Sequence, residues 1–162
     1  MTNEERAPVS RDAALEAARR LGVSADDFAK VEERQRRRSR GVAGPADAFW
    51  EAANDALERY LAARDWDGAG VVYHAQARWL YEHESDHDHS DLQRSAHEAR
   101  IVDLRSRRHH RRVAIEARCC DACAERDGEE LSFARALEES PLPQEVCTLR
   151  WCTCSWRGIP NR

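Results

Sequence analysis

Apolar residues recur at three- and four-residue spacing through most of this chain, the pattern of helices with one buried face. RDAALEAARRLG (11–22) reads as a short helix that Ser10 caps and Gly22 stops. Ser24 caps a second, ADDFAKVEERQRRRSR. Asp26 and Asp27 sit in its first turn and an Arg run in its last, as the helix dipole favours. The run GVAGP (41–45) breaks the pattern and predicts a hinge. Pro45 opens the strongest helix, with Phe49, Ala53, Ala56, Leu57, Tyr60 and Leu61 at helical spacing and Trp50 beside them. DWDGAG (65–70) predicts a turn. The next helix carries Val72, Ala75, Trp79, Leu80 and His83 along one side, with Gln76 at its edge, and the polar tract ESDHDHSD ends it. Ser90 caps a last helix with the stripe Leu92, Ala96, Ala99 and Val102.

The period changes near residue 105. VAIEA (113–117) alternates and predicts a strand. After it come CCDAC, a turn at Gly128, a short helix SFARALEE, a kink at PLP (141–143) and CTLRWCTCSW. The expected fold class is mainly α: an antiparallel helical body with a small C-terminal α+β zinc module. Residues 1–44 form an N-terminal helical arm, 45–104 the body and 105–162 the cysteine-rich module.

With 162 residues, 41% hydrophobic and 35% charged, the chain has the size of one domain with an appendage. Five Trp, three Tyr and three Phe supply anchors for a core. No run approaches the roughly 18 apolar residues of a membrane span. MTNEERAPVS has neither the basic start nor the apolar centre of a secretion signal, so a cytoplasmic protein without a membrane partner is expected.

The net charge of −4 excludes a globally basic nucleic-acid binder, but the cations are segregated. Arg34, Arg36, Arg37, Arg38 and Arg40 form one island. Arg105, Arg107, Arg108, Arg111 and Arg112, with His109 and His110 between them, form another. The second abuts the cysteine segment and is the candidate phosphate-contacting surface.

All six cysteines lie in the last 44 residues: Cys119, Cys120, Cys123, Cys147, Cys152 and Cys154. In a reducing compartment such clustering reads as a metal site. A Cys-x2-Cys turn brings two thiolates to one ion, and a second pair from a distant segment completes a tetrahedron. Cys120 and Cys123 supply the first arm, and two of Cys147, Cys152 and Cys154 the second. Cys119 is expected to point away from Cys120 as a spare thiol. One structural Zn2+ per chain follows, holding a segment too small to fold on its own core. Trp151 and Trp156 flank the closing cysteines and are expected to cover the ion.

The string VAIEARCCDACAERDGEE, followed by ARALEESPLP and CTLRWCTC, resembles the C-terminal cysteine module of the phage head-morphogenesis (minor head protein) family. The shared features are a strand, the Cys120-x2-Cys123 turn, Asp127-Gly128, the Pro141-Leu142-Pro143 segment and a closing Cys152-x-Cys154. A His commonly precedes the closing cysteines in that family, and Cys147 stands in that region here. The resemblance implies a metal-knuckle fold.

His83-Glu84-Ser85-Asp86-His87 is a literal HExxH string. On a helix it would place His83 and His87 on one face for a second metal, with Glu84 as general base of a hydrolase and His89 as a further ligand. Its position at the end of the helical pattern argues for a solvated loop instead. No Gly-rich phosphate loop and no nucleophile elbow is present. The reading is a zinc-containing adaptor or assembly factor acting on an unidentified protein partner. Nucleic-acid binding through Arg105–Arg112 is the first alternative and a zinc hydrolase the second.

Overall fold

A computed structural model describes residues 9–84 and 87–161. Residue contacts divide the chain into two compact units, Met1–Glu58 and Arg59–Arg162. The stretch 45–104 is therefore shared between them, and its later helices lie in the same unit as the cysteines.

In the first unit, α1 (Arg11–Arg19) and α2 (Ala25–Arg38) start at their expected caps. Ser10 Oγ accepts the Ala13 N–H at 3.2 Å and Ser24 Oγ the Asp27 N–H at 3.1 Å. Each such cap is worth about 1 kcal/mol. Gly22 takes φ +76°, the left-handed turn that lets the chain leave α1. The pair buries Ala14, Leu15, Ala18, Phe28 and Val31, and a two-point ion pair joins Arg11 to Glu32. Helix α3 (Pro45–Ala62) begins at the predicted proline but buries Ala48, Phe49, Ala52, Ala53 and Ala56. Leu61, placed on the inner stripe by spacing, is 37% exposed. Phe49, Ala53 and Ala56 of the predicted stripe are buried, Leu57 and Tyr60 are half-buried, and alanines complete the inward face.

The second unit opens with α4 (Trp66–His83). The turn predicted at 65–70 is instead the start of this helix, with Asp65 Oδ1 accepting the Gly68 N–H at 2.9 Å. Glycine at 68 has a packing cause: a β-carbon there would overlap the Tyr60 ring. Helix α5 (Ser90–Ser106) follows, and its start is bonded by Asp88, not by Ser90: Asp88 Oδ1 takes the Ser90 N–H at 2.9 Å. It buries Gln93, Ala99, Ile101, Asp103 and Leu104. Only Ala99 belongs to the predicted stripe. One side of α5 meets α4, while others meet the sheet and the last helix, so no single apolar face exists.

Strand β1 (His110–Glu116) overlaps the predicted 113–117, starting three residues earlier and ending one residue sooner. It is followed by the one-turn α6 (Asp121–Ala124), β2 (Glu130–Leu131), α7 (Phe133–Glu139) and β3 (Ser155–Pro160). The sheet order is β2-β1-β3, antiparallel throughout, with Val113 opposite Leu131 and Ile115 opposite Trp156. Val113, Ala114 and Ile115 are all buried, because β1 is central and covered on both faces. The fold is thus mainly α with a small α+β part at its C-terminal end. One core cluster joins Ile101, Leu104, Val113, Ile115, Leu131, Leu142 and Trp156 with Cys123, Cys152 and Cys154. Each fully buried aliphatic side chain there contributes about 1.5–3 kcal/mol. Among the described residues no helix is long and apolar enough to cross a membrane.

Candidate metal centre

Two chain segments bring the cysteines together. The first leaves β1 through Ala117, whose N–H is held by Asp127 Oδ1 at 2.9 Å, and enters α6 with Cys120 at its N-cap. One helical turn on, the Cys123 N–H donates to the Cys120 carbonyl at 3.0 Å. The second runs from Gln144 to β3. Its Cys147 N–H donates to the Gln144 carbonyl at 3.0 Å. Thr153 stitches the two: its N–H donates to Cys119 Sγ at 3.4 Å and its hydroxyl to the Arg118 carbonyl at 3.1 Å.

The sulfurs of Cys119, Cys123, Cys147 and Cys152 all lie within 4.8 Å of one another. Cys119 and Cys147 are 3.1 Å apart. Four metal–sulfur bonds of ~2.3 Å in a tetrahedron give sulfur separations of about 3.8 Å, so these thiols are placed to hold a metal ion. Cys119, expected to face away, stands inside this group. Adjacent residues of extended backbone point to opposite sides, and here the side facing Thr153 and Cys147 belongs to Cys119. Cys120 and Cys154, both proposed from spacing, stand beside Cys123 and not among the four: each makes a side-chain contact with it.

The surroundings act differently on each thiol. Hydrogen bonds from the Thr148 backbone and hydroxyl, with one from the Cys123 backbone, lower Cys120 to about 6, so it is ready as a thiolate at neutral pH. Burial pushes Cys123 up strongly, Cys147 up to about 12, and Cys154 up. Burial also opposes ionisation of Cys152, but the backbone N–H groups of Cys154 and Gln144 outweigh it and the thiol is lowered. A closely packed set of thiols buried against Leu131 and Ile115 favours a bound cation.

Two buried glutamines support the site. Gln144, 5% exposed, donates its Nε2 to the Cys123 carbonyl at 3.2 Å and to Cys154 Sγ at 3.6 Å. Gln93 Nε2 donates to the Cys152 carbonyl at 3.3 Å and so ties α5 to the closing cysteines. Spacing gave no hint of either; only the Pro-Leu-Pro segment before Gln144 marked that region. Of the two flanking tryptophans, Trp156 is buried in the core beside the cysteines. Trp151 instead stacks on His89 at 5.5 Å and meets His74 and Tyr81 edge-on or tilted.

The HExxH string does not lie on one helical face. His83 is the last residue of α4, Glu84 caps it, and Ser85 and Asp86 lie outside the described residues. Glu84 Oε1 accepts the Trp79 indole N–H at 2.9 Å, and the His83 ring packs on Trp79. His87 is exposed, 3.8 Å from Glu84. His89 Nε2 is bonded to the Arg150 carbonyl at 2.8 Å. Among the described residues only the cysteines form a metal-ligating group.

The first Arg island is largely neutralised. Arg34 pairs with Glu51 and Asp55, Arg36 and Arg37 with Glu33, and Arg38 with Glu51. In the second, Arg107 pairs with Asp103 and Arg112 with Glu130. Arg105, Arg108 and Arg111 are exposed, with no ion pair among the described residues. Compared with protein-family models, with curated proteins and with solved structures, the chain matches none.

Proposed function

We propose that this chain is a zinc-stabilised binding protein, an adaptor or assembly factor that works through protein contacts and not through catalysis. The grouping of four cysteine sulfurs within 4.8 Å carries the reading. Four thiolates around Zn2+ leave no coordination position for water or substrate, so the ion's role is to hold the fold. What it holds includes the loop between Gln144 and Trp151, whose Val146 and Leu149 are 57% and 52% exposed. Apolar side chains displayed on a metal-fixed loop suit a protein partner. The likeness of the cysteine module to minor head proteins makes the components of a phage head the first partner class to test.

Purified protein is expected to contain zinc, and chelation is expected to unfold the cysteine segment while helical circular dichroism from α1–α3 persists. A metal-free protein with the same thermal transition would overturn the zinc reading. A photo-crosslinking residue at Leu149 is expected to capture a partner that Val146→Asp abolishes. Capture unaffected by that substitution would overturn the adaptor reading.

The three unpaired arginines favour a second reading, nucleic-acid binding beside the cysteine segment. Three phosphate contacts predict that log affinity for duplex DNA falls with log salt at a slope of about −2.7. Replacing Arg105, Arg108 and Arg111 by Ala is expected to abolish that slope. No binding at low salt would exclude this reading.

A further inference from the structure

The thiols of the four-sulfur group differ in access. Cys123 and Cys152 are buried, whereas Cys119 and Cys147 are half-buried and open to a small reagent from solvent. The two half-buried thiols also face each other, with sulfurs 3.1 Å apart. That is closer than the roughly 3.8 Å between two sulfurs on one zinc ion, and about 1 Å longer than a disulfide bond. About 1 Å of movement, shared between two side chains, would join them. Cys120 is half-buried too, but it stands outside the four-sulfur group.

Backbone contacts independent of any ion fix this approach. Cys119 Sγ accepts the Thr153 N–H at 3.4 Å, and the Thr153 hydroxyl holds the Arg118 carbonyl next to it at 3.1 Å. The Cys147 N–H is tied to the Gln144 carbonyl at 3.0 Å. The pair joins two segments 28 residues apart, the same two that the ion would hold together. Cys147 also stands between Val146 and Leu149, so chemistry at its sulfur acts on the segment that displays them.

Resting on the zinc reading above, we infer that Cys119 and Cys147 are a redox modification site: a hydroperoxide oxidises them to a reversible disulfide, and the site then gives up its ion. A bound zinc ion keeps its cysteine ligands as thiolates, the nucleophilic form. One thiolate of the pair attacks a peroxide oxygen; the O–O bond breaks, a sulfenic acid forms and hydroxide leaves. The other thiolate attacks that sulfur; the S–O bond breaks, the S–S bond forms and a second hydroxide leaves. The two sulfurs lose two electrons and the peroxide gains them. Cys123 and Cys152 remain as thiolates, half of the closed set that a structural zinc site needs, and Zn2+ departs. The loaded site carries −2, and Zn2+, two thiolates and two hydroxides also sum to −2.

Hydrogen peroxide added to the zinc-loaded full chain tests this. Treatment is expected to release one zinc per chain to a chromophoric chelator and to remove two titratable thiols. Peptide mapping without reductant is expected to find Cys119 joined to Cys147. Dithiothreitol with added zinc is expected to restore the metal content. Cys120→Ser is expected to release zinc with the wild-type yield and to give the same cross-link. A disulfide mapped to any other pair, or a release that Cys120→Ser abolishes, would overturn the assignment of the pair. Zinc retained after peroxide would overturn the coupling of oxidation to metal loss. Each of these results leaves the zinc reading standing, whereas an untreated protein without zinc would overturn both.

Discussion

Cys119→Ser separates the structural grouping from the one that spacing suggests. The substitution exchanges sulfur for oxygen at a half-buried position and leaves the Thr153 N–H an acceptor. Little packing is lost, so the metal-free protein should change by no more than about 0.5 kcal/mol. The loaded protein should change far more. Structural zinc contributes about 10–16 kcal/mol across its four ligands, so one thiolate accounts for roughly 3 kcal/mol. That corresponds to a loss of about 100-fold in zinc affinity. Competition against a chromophoric chelator at neutral pH reads it directly, and thermal melts with and without zinc locate the loss in the bound state. If Cys119→Ser binds zinc as tightly as wild type, Cys119 is a bystander and the placement of its sulfur 3.1 Å from Cys147 has no consequence for the metal.

Gly68→Ala sets a helix-propensity gain of about 0.5–1 kcal/mol against overpacking of about 1–3 kcal/mol where the new carbon meets the Tyr60 ring. Net destabilisation is expected, and combining it with Tyr60→Ala should make the glycine replacement neutral or favourable; additive effects in chemical denaturation would refute the contact. Leu131→Ala removes a side chain 1% exposed and opposite Val113, and should cost about 2–5 kcal/mol in the same assay. His97 is pulled down to about 4, chiefly by burial and then by the charge of His74. Its folded value lies below its unfolded one, so this contribution is complete above about pH 6.5 and is lost as pH falls towards 4, by at most about 3 kcal/mol and less for a ring only partly shielded from water. His97→Gln should flatten this part of the pH–stability curve relative to wild type, and parallel curves between pH 6.5 and 4 would exclude the mechanism.

The sequence alone determined the helical class, the caps at Ser10 and Ser24, the break before Pro45, a strand through Val113–Glu116 and a cysteine set able to hold a metal ion. Each follows from a local rule: a hydroxyl beside free N–H groups, a ring without an N–H, a two-residue alternation, or thiols too numerous to be incidental. What the tertiary structure decided needed distant residues. Gly68 reads as a turn until Tyr60 is seen against it. The stripe on α5 fails because that helix serves several neighbours at once. Cys119 and Cys120 are adjacent residues of opposite direction, and the Cys-x2-Cys spacing favoured Cys120, whereas the four-sulfur group contains Cys119. Only the segment bearing Thr153, just before β3 and 34 residues away, selects which sulfur joins Cys123, Cys147 and Cys152.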